Sequence, residues 1–175
     1  GRLEDIAIRM AGILGQEKPV LGRKAVIVMA ADHGVAAEGV SAYPSAVTPQ
    51  MVYNFLYGGA AINALARHEG ADVIVIDVGV AAEIEHANLL SRKVAYGTAN
   101  MAKGPAMSEA QMLAAIQVGI DVLSAQAQQG LTMVATGEMG IGNTTAASAI
   151  TAALLQEPVA LVVGRGTGIS DEQLA

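Results

Sequence analysis

Seven consecutive apolar residues, Ala25-Val26-Ile27-Val28-Met29-Ala30-Ala31, run without a polar side chain to mark a solvated face. A half-exposed strand alternates polar and apolar, so this run belongs to a strand covered on both faces, as in a parallel sheet between helix layers. Asp72 to Val78 repeats the pattern and ends in a glycine turn, Asp77-Val78-Gly79-Val80. Leu131 to Thr136 is short, apolar and β-branched, and Val159 to Val163 reads as a fourth strand. Helical segments lie between them, which implies right-handed crossovers and an α/β fold: an open, mostly parallel, Rossmann-like sheet with helices on both faces.

The helices announce their ends. Leu3, Ile6, Met10, Ile13 and Leu14 form a stripe that Gly15 closes, so residues 1–22 are read as the tail of a helical arm and 23–175 as the main nucleotide-binding domain. Thr48 as N-cap and Pro49 at the first helical position start a helix expected to reach about His68, with Gly70 stopping it and Gly58-Gly59 inside it. Ser108 and Gln111 make a capping box for a helix ending near Gly130, and Ser170 with Gln173 make another. Residues 81–105 carry no period and are read as an excursion over the sheet edge.

The chemistry concentrates in Thr136-Gly137-Glu138-Met139-Gly140-Ile141-Gly142-Asn143-Thr144-Thr145, between the third strand and an alanine-rich helix, Ala146 to Leu155, that Asn143 or Thr144 is placed to cap. Helix-start N–H groups lack internal partners and sit at the positive end of the helix dipole, so a phosphate is the natural ligand, with the glycines opening the backbone to it. Gly164-Arg165-Gly166-Thr167-Gly168 offers a second set after the fourth strand. Neither a Gly-Lys-Ser/Thr loop nor the dinucleotide Gly-x-Gly-x-x-Gly spacing is present. Glycine clusters alone fit an ordinary strand-to-helix turn equally well.

Composition excludes other classes. With 53% hydrophobic and 15% charged residues the chain has enough apolar matter for one core, and a net charge of −6 lacks the clustered Lys and Arg that nucleic acid demands. No cysteine means neither disulfide nor thiolate chemistry, which fits a reducing cytoplasm and equally any other compartment, and no basic segment followed by an apolar one opens the chain; a cytoplasmic protein is the expectation. Met139 to Gln156 is uncharged but begins with glycines, Asn143 and two threonines, which favours a buried helix over a membrane span. Asp32-His33 has no second His or Cys at ligand spacing, so the expectation is no metal and a structural Asp32–His33 hydrogen bond.

The stretch Gly137 to Ala147, together with Ala31-Asp32-His33-Gly34-Val35, Tyr43-Pro44, Val47-Thr48-Pro49-Gln50-Met51-Val52, Gly97-Thr98-Ala99-Asn100-Met101 and Gly164 to Gly168, resembles the nicotinate-nucleotide:dimethylbenzimidazole phosphoribosyltransferase family in the same order along nearly the whole chain. The resemblance implies transfer of phosphoribosyl from nicotinate mononucleotide to 5,6-dimethylbenzimidazole, giving α-ribazole 5'-phosphate and nicotinate for the lower ligand of cobalamin, by a homodimer without organic cofactor. It implies nucleotide and phosphate binding by Glu138, Met139, Gly140, Ile141, Gly142, Asn143, Thr144, Gly164, Gly166 and Thr167. It places Asp32, His33, Gly34, Tyr43 and Gln50 along the slot for the aromatic base, with Gln50 able to bond a ring nitrogen, where packing is the plainer role for Tyr43 and Gln50. Glu138 beside a phosphate is repelled unless positive charge lies between, and the oxocarbenium-like sugar supplies it, so Glu138 is read as hydrogen-bonding the ribose and stabilising that charge. The plainer alternative is a carboxylate capping its own helix. The family's glutamate base and a lysine fall past Ala175, so the fold is expected to be an incomplete part of the full one and these residues alone to turn over negligibly. The alternative class is a non-catalytic module that binds a nucleotide or a partner chain.

Overall fold

The computed structural model describes residues 1–174, with side chains through residue 172. Four strands form one parallel sheet in the order β3-β2-β1-β4: β1 is Arg23–Ala31, β2 Ala71–Gly79, β3 Leu89–Ser91 and β4 Leu131–Met139. Val26 stands between Val73 of β2 and Ala135 of β4, so the apolar run is the sheet's interior strand. The helices are α1 (Arg2–Leu14), α2 (Val47–Leu56), α3 (Ala61–Glu69), α4 (Glu109–Gln128), α5 (Asn143–Leu155), α6 (Val159–Val162) and α7 (Asp171–Leu174).

Two cores lie on opposite sides of the sheet, because successive β residues point to opposite faces. Ala30, Val75 and Val80 pack with Val52 of α2 on one face. Ile27 and Ile76 pack with Val122 of α4 on the other. Burying a side chain such as Ile76 or Val75 stabilises the fold by roughly 1.5–3 kcal/mol, which is why continuous apolar strands demand two helix layers.

α4 follows its capping box as expected: Ser108 Oγ accepts from Gln111 N at 3.2 Å, and Gln111 Oε1 accepts from Ser108 N at 2.9 Å. α1 ends at Gly15, and none of its residues is buried. Elsewhere the structure corrects the expectations. The helix expected to run from Thr48 to His68 is two helices, broken at Gly58 and Gly59; Asn63 bridges the break by accepting from Ala60 N at 3.1 Å and donating to Phe55 O at 3.0 Å. Thr48 is not its N-cap: the helix starts at Val47, and the fully buried Thr48 hydroxyl accepts from Ile141 N at 3.1 Å.

Val159 to Val163 is not a strand. Pro158 starts the short helix α6 there, and Ser148 Oγ of α5 donates to Val162 O at 3.1 Å, so the segment packs on a helix rather than on the outer edge of β4. The fourth strand is β3, three residues within the unpatterned 81–105 excursion, paired to β2 from Val75 to Asp77. α5 is not buried either: no α5 residue is, and Ile150, Leu154 and Leu155 are exposed, because among the described residues α6 is its principal neighbour. α7 begins directly after Ser170; the Gln173 side chain of the expected capping box lies outside the described residues. No helix among the described residues is long and apolar enough to cross a membrane.

Candidate functional site

Parallel strands bring the loops after β1, β2 and β4 to one end of the sheet, where open α/β folds bind ligands. Asp32 follows β1 and is 5% exposed. Its N–H donates to Gly79 O at 2.9 Å, its carbonyl accepts from Thr98 N at 3.1 Å, and Oδ2 accepts from Ala81 N at 2.8 Å. The expected Asp32–His33 bond is absent: Asp32 is used to join three loops, and His33 Nε2 instead meets Asn143 Oδ1. Gly34 N donates to Thr98 O at 3.1 Å, which seats the next turn against residues 98–100.

β4 continues past Thr136 through Gly137, Glu138 and Met139, with Glu138 level with Met29 of β1. The chain then bends so tightly at Gly140 that a Cβ there would stand 1.9 Å from Ala31 O. Ile141 is buried and held by Thr48. Gly142, at φ 95, is the N-cap of α5, which removes that role from both Asn143 and Thr144: α5 begins at Asn143, and no side chain caps it. Asn143 Nδ2 donates to Glu138 Oε2, so Glu138 is bound by a side chain rather than capping its helix. Asn143 N and Ala146 N donate to Gly140 O and Gly142 O. Among the described residues, the N–H groups of Thr144 and Thr145 have no backbone partner, as expected of a helix start.

Gly164 to Gly168 follows α6 instead of a strand, yet the fold brings it to α5: a Cβ on Gly166 would lie 3.1 Å from Thr144 Oγ1. Thr144, Thr145, Ser148, Gly164 and Gly166 line a cavity of about 350 Å³. The Thr167 hydroxyl accepts from Ala42 N at 2.9 Å and pairs with Ser41 Oγ at 3.0 Å, which ties this loop to the segment of Tyr43. Arg165, the cation of the loop, is engaged by Asp171 and by Ile169 O.

A larger cavity, about 470 Å³, opens beside Asp32 and His33. Its opposite wall is Val94, Ala95, Gly97, Thr98 and Met107, none of them singled out as site residues from the sequence. The one signal available was Gly97-Thr98-Ala99, part of the family resemblance; aperiodic backbone gives no other. Gly34, Tyr43 and Gln50 do not line this cavity, and Tyr43 is 56% exposed. A third cavity, about 330 Å³, joins Met29, Val78 and Ala115 to Glu138 and Asn143.

These features form two chemical halves. Free helix-start N–H groups and small hydroxyls suit an anion with bulky oxygens, and an exposed carboxylate one strand-end away suits developing positive charge. An apolar hollow with a carboxylate and an imidazole at its edge suits a flat, weakly polar ring. Among the described residues no three His, Cys, Asp or Glu side chains gather as metal ligands would.

A family profile described as "Phosphoribosyltransferase" matches residues 1–175. The chain is 61% identical over 176 residues to the nicotinate-nucleotide–dimethylbenzimidazole phosphoribosyltransferase of Chloroflexus aggregans, covering 100% of this chain and 50% of that protein. It is 54% identical to the protein of the same name from Geobacter sulfurreducens, again over 100% of this chain and 50% of the relative. The crystal structure of CobT from Thermus thermophilus is similar with a TM-score of 0.95 at 55% identity, covering 99% of this chain and 53% of that one. The chain thus spans about half the length of the curated relatives it matches.

Proposed function

The chain belongs to the nicotinate-nucleotide–dimethylbenzimidazole phosphoribosyltransferase family, and from that premise we propose that the full-length protein transfers phosphoribosyl from nicotinate mononucleotide to 5,6-dimethylbenzimidazole. The products are α-ribazole 5'-phosphate and nicotinate. A benzimidazole nitrogen attacks the anomeric carbon, the bond to the pyridinium breaks with its electron pair left on nicotinate, and the imidazole proton leaves. The observation that supports this reading most is the meeting, at one sheet end, of the start of α5, the Gly164–Gly168 loop and Glu138.

In this reading the phosphate lies along Gly140 to Thr144 and against Gly164, Gly166 and Thr167, held by backbone N–H groups because Arg165 is already paired. Glu138 accepts from the ribose hydroxyls and offsets the charge of the oxocarbenium-like sugar, an interaction stronger in the transition state than before it. Asp32 and His33 serve the aromatic base at the edge of the larger cavity, and Gly34, Tyr43 and Gln50, which do not line it, are assigned to the base by the family resemblance alone. Residues 1–22 are an arm, and 23–175 the Rossmann-like nucleotide-binding part. The working form is a homodimer in the cytoplasm: α1 and α5 expose Leu3, Ile8, Ile13, Ile150, Leu154 and Leu155, more apolar surface than a solvated helix carries.

The test is to incubate the purified full-length protein with nicotinate mononucleotide and 5,6-dimethylbenzimidazole and follow both products by chromatography and mass. Stoichiometric nicotinate and α-ribazole phosphate support the proposal; nicotinate release without the ribazole, or no turnover, rejects it. Light scattering that reports a monomer at micromolar concentration rejects the dimer.

A further inference from the structure

We propose that Asn143 is a positioning residue for Glu138, with its amide oriented by His33; this rests on the reading of Glu138 as the group facing the ribose. An ionised carboxylate only accepts hydrogen bonds, so the Asn143 group facing Glu138 Oε2 is the Nδ2 amide, which donates. Oδ1 therefore points the other way, and there it meets His33 Nε2. A carbonyl oxygen cannot donate, so Nε2 carries a hydrogen and Nδ1 of the neutral ring does not. The three side chains form one directional chain, from His33 through Asn143 to Glu138, and the polarity of each link follows from the one before it.

The backbone is shaped to bring them together. His33 follows Asp32, whose N–H and C=O are tied to Gly79 and Thr98. Asn143 opens α5, with its N–H on Gly140 O at 3.0 Å. Glu138 is fixed in β4 opposite Met29. A Cβ on Gly140 would stand 2.6 Å from Asn143 Oδ1, and one on Gly142 would stand 3.2 Å from His33 Cβ. The glycines that read as openings for an anion are thus also the space in which the amide and the imidazole meet.

The consequence lies with Glu138, which is exposed and whose hydrogen-bond partner among the described residues is Asn143. Without that bond the carboxylate spreads over several rotamers, and few of them face a bound sugar. Phosphate binding by the backbone is left intact, so the loss falls on kcat and not on substrate affinity.

The experiment compares the full-length protein with its Asn143→Ala and Glu138→Gln variants. Asn143→Ala removes the donor to Glu138 and the acceptor for His33 while keeping the backbone N–H at the helix start and adding no charge beside the phosphate. It is expected to lower kcat about ten- to a hundredfold while KM for nicotinate mononucleotide moves by less than about threefold; an unchanged kcat, or a loss carried by KM, overturns the proposal. Because Asn143 acts through Glu138, the double variant should be no slower than Glu138→Gln alone, and full additivity overturns the proposal. His33→Gln, which keeps a donor near Oδ1, should lose less than His33→Leu. A second readout needs no turnover: nitrogen NMR, with His33 identified by the signals lost in His33→Gln, should show the neutral ring protonated at Nε2. The Asn143 side-chain amide signals should shift in Glu138→Ala. A proton on Nδ1, or amide signals that do not move, overturns the relay even if the protein makes no ribazole phosphate, an outcome that by itself sinks only the functional reading.

Discussion

β2 and β4 flank the same central strand, are both nine residues long, and differ in almost everything else. β2 is paired on both sides, carries the buried Asp77 two residues before its end, and continues into a loop locked by Lys93: Nζ lies 2.8 Å from Asp77 Oδ2 and 3.0 Å from Ala82 O, donates to Val80 O, and sits 4.6 Å from the centre of the Tyr96 ring. β4 has β1 on one side only, and Thr132 to Thr136 are exposed. Among the described residues, one side of the sheet is thus a finished interior and the other is exposed. Lys93 shows how an aperiodic loop becomes rigid: three acceptors surround its ammonium group, so the 80–97 excursion is held by this side chain as well as by the three-residue strand β3.

The two sides differ most at Asp77. Asp77→Ala leaves the Lys93 ammonium in a place only 13% exposed without its counterion, and should cost about 3–5 kcal/mol in urea denaturation. A loss below about 1 kcal/mol would mean that the two sides are equally soft. Gly34→Ala tests the same side by packing. The added Cβ would stand 2.6 Å from both Ala99 C and Asn100 N, backbone atoms that cannot step aside, and a loss of about 2 kcal/mol is expected. On the other side, Val134 is 40% exposed, so Val134→Thr should change the stability of these 175 residues by less than about 0.5 kcal/mol; a larger loss would show that β4 is covered in solution.

The smallest effect belongs to Tyr96. Its phenol, hydrogen-bonded to the Glu83 carboxylate and repelled by the same charge once ionised, titrates above its ordinary value of 10.0. A folded-state value above the unfolded one means that the contact stabilises below pH 10 and is lost as pH rises through the folded value. Ultraviolet titration of the four tyrosines should therefore show one lagging component, and Glu83→Gln should bring it down.

How far the sequence could be read follows the same division. Where one physical demand dominated, the text was plain: the apolar run of β1 needed cover on both faces, and Ser108 with Gln111 could satisfy each other's backbone before any tertiary contact formed. Where two demands competed, it misled. Val159 to Val163 carries three valines, but Pro158 starts a short helix there and Ser148 Oγ holds Val162 O against α5. Thr48 had the chemistry of an N-cap and was taken by Ile141, 93 residues away in sequence. Of the candidate site, the glycine loops and Glu138 were legible because local chain chemistry marks them. The meeting of His33 with Asn143, and of Asp32 with residues 79, 81 and 98, was not, because only the crossover of the sheet brings those positions together.

The strand order also bears on how the chain is made. β1 emerges first among the strands and stands at the centre of the sheet, but its two neighbours come at very different moments: β2 follows from residue 71, and β4 only from residue 131. At a synthesis rate of about 5–20 residues per second, the edge of β1 that β4 will occupy stays open for roughly 5–20 s after Ala31 has been added. Throughout that interval the apolar strand β1 offers a row of unpaired backbone groups along one edge to any other nascent chain, a hazard that grows with crowding on the ribosome and ends when β4 docks.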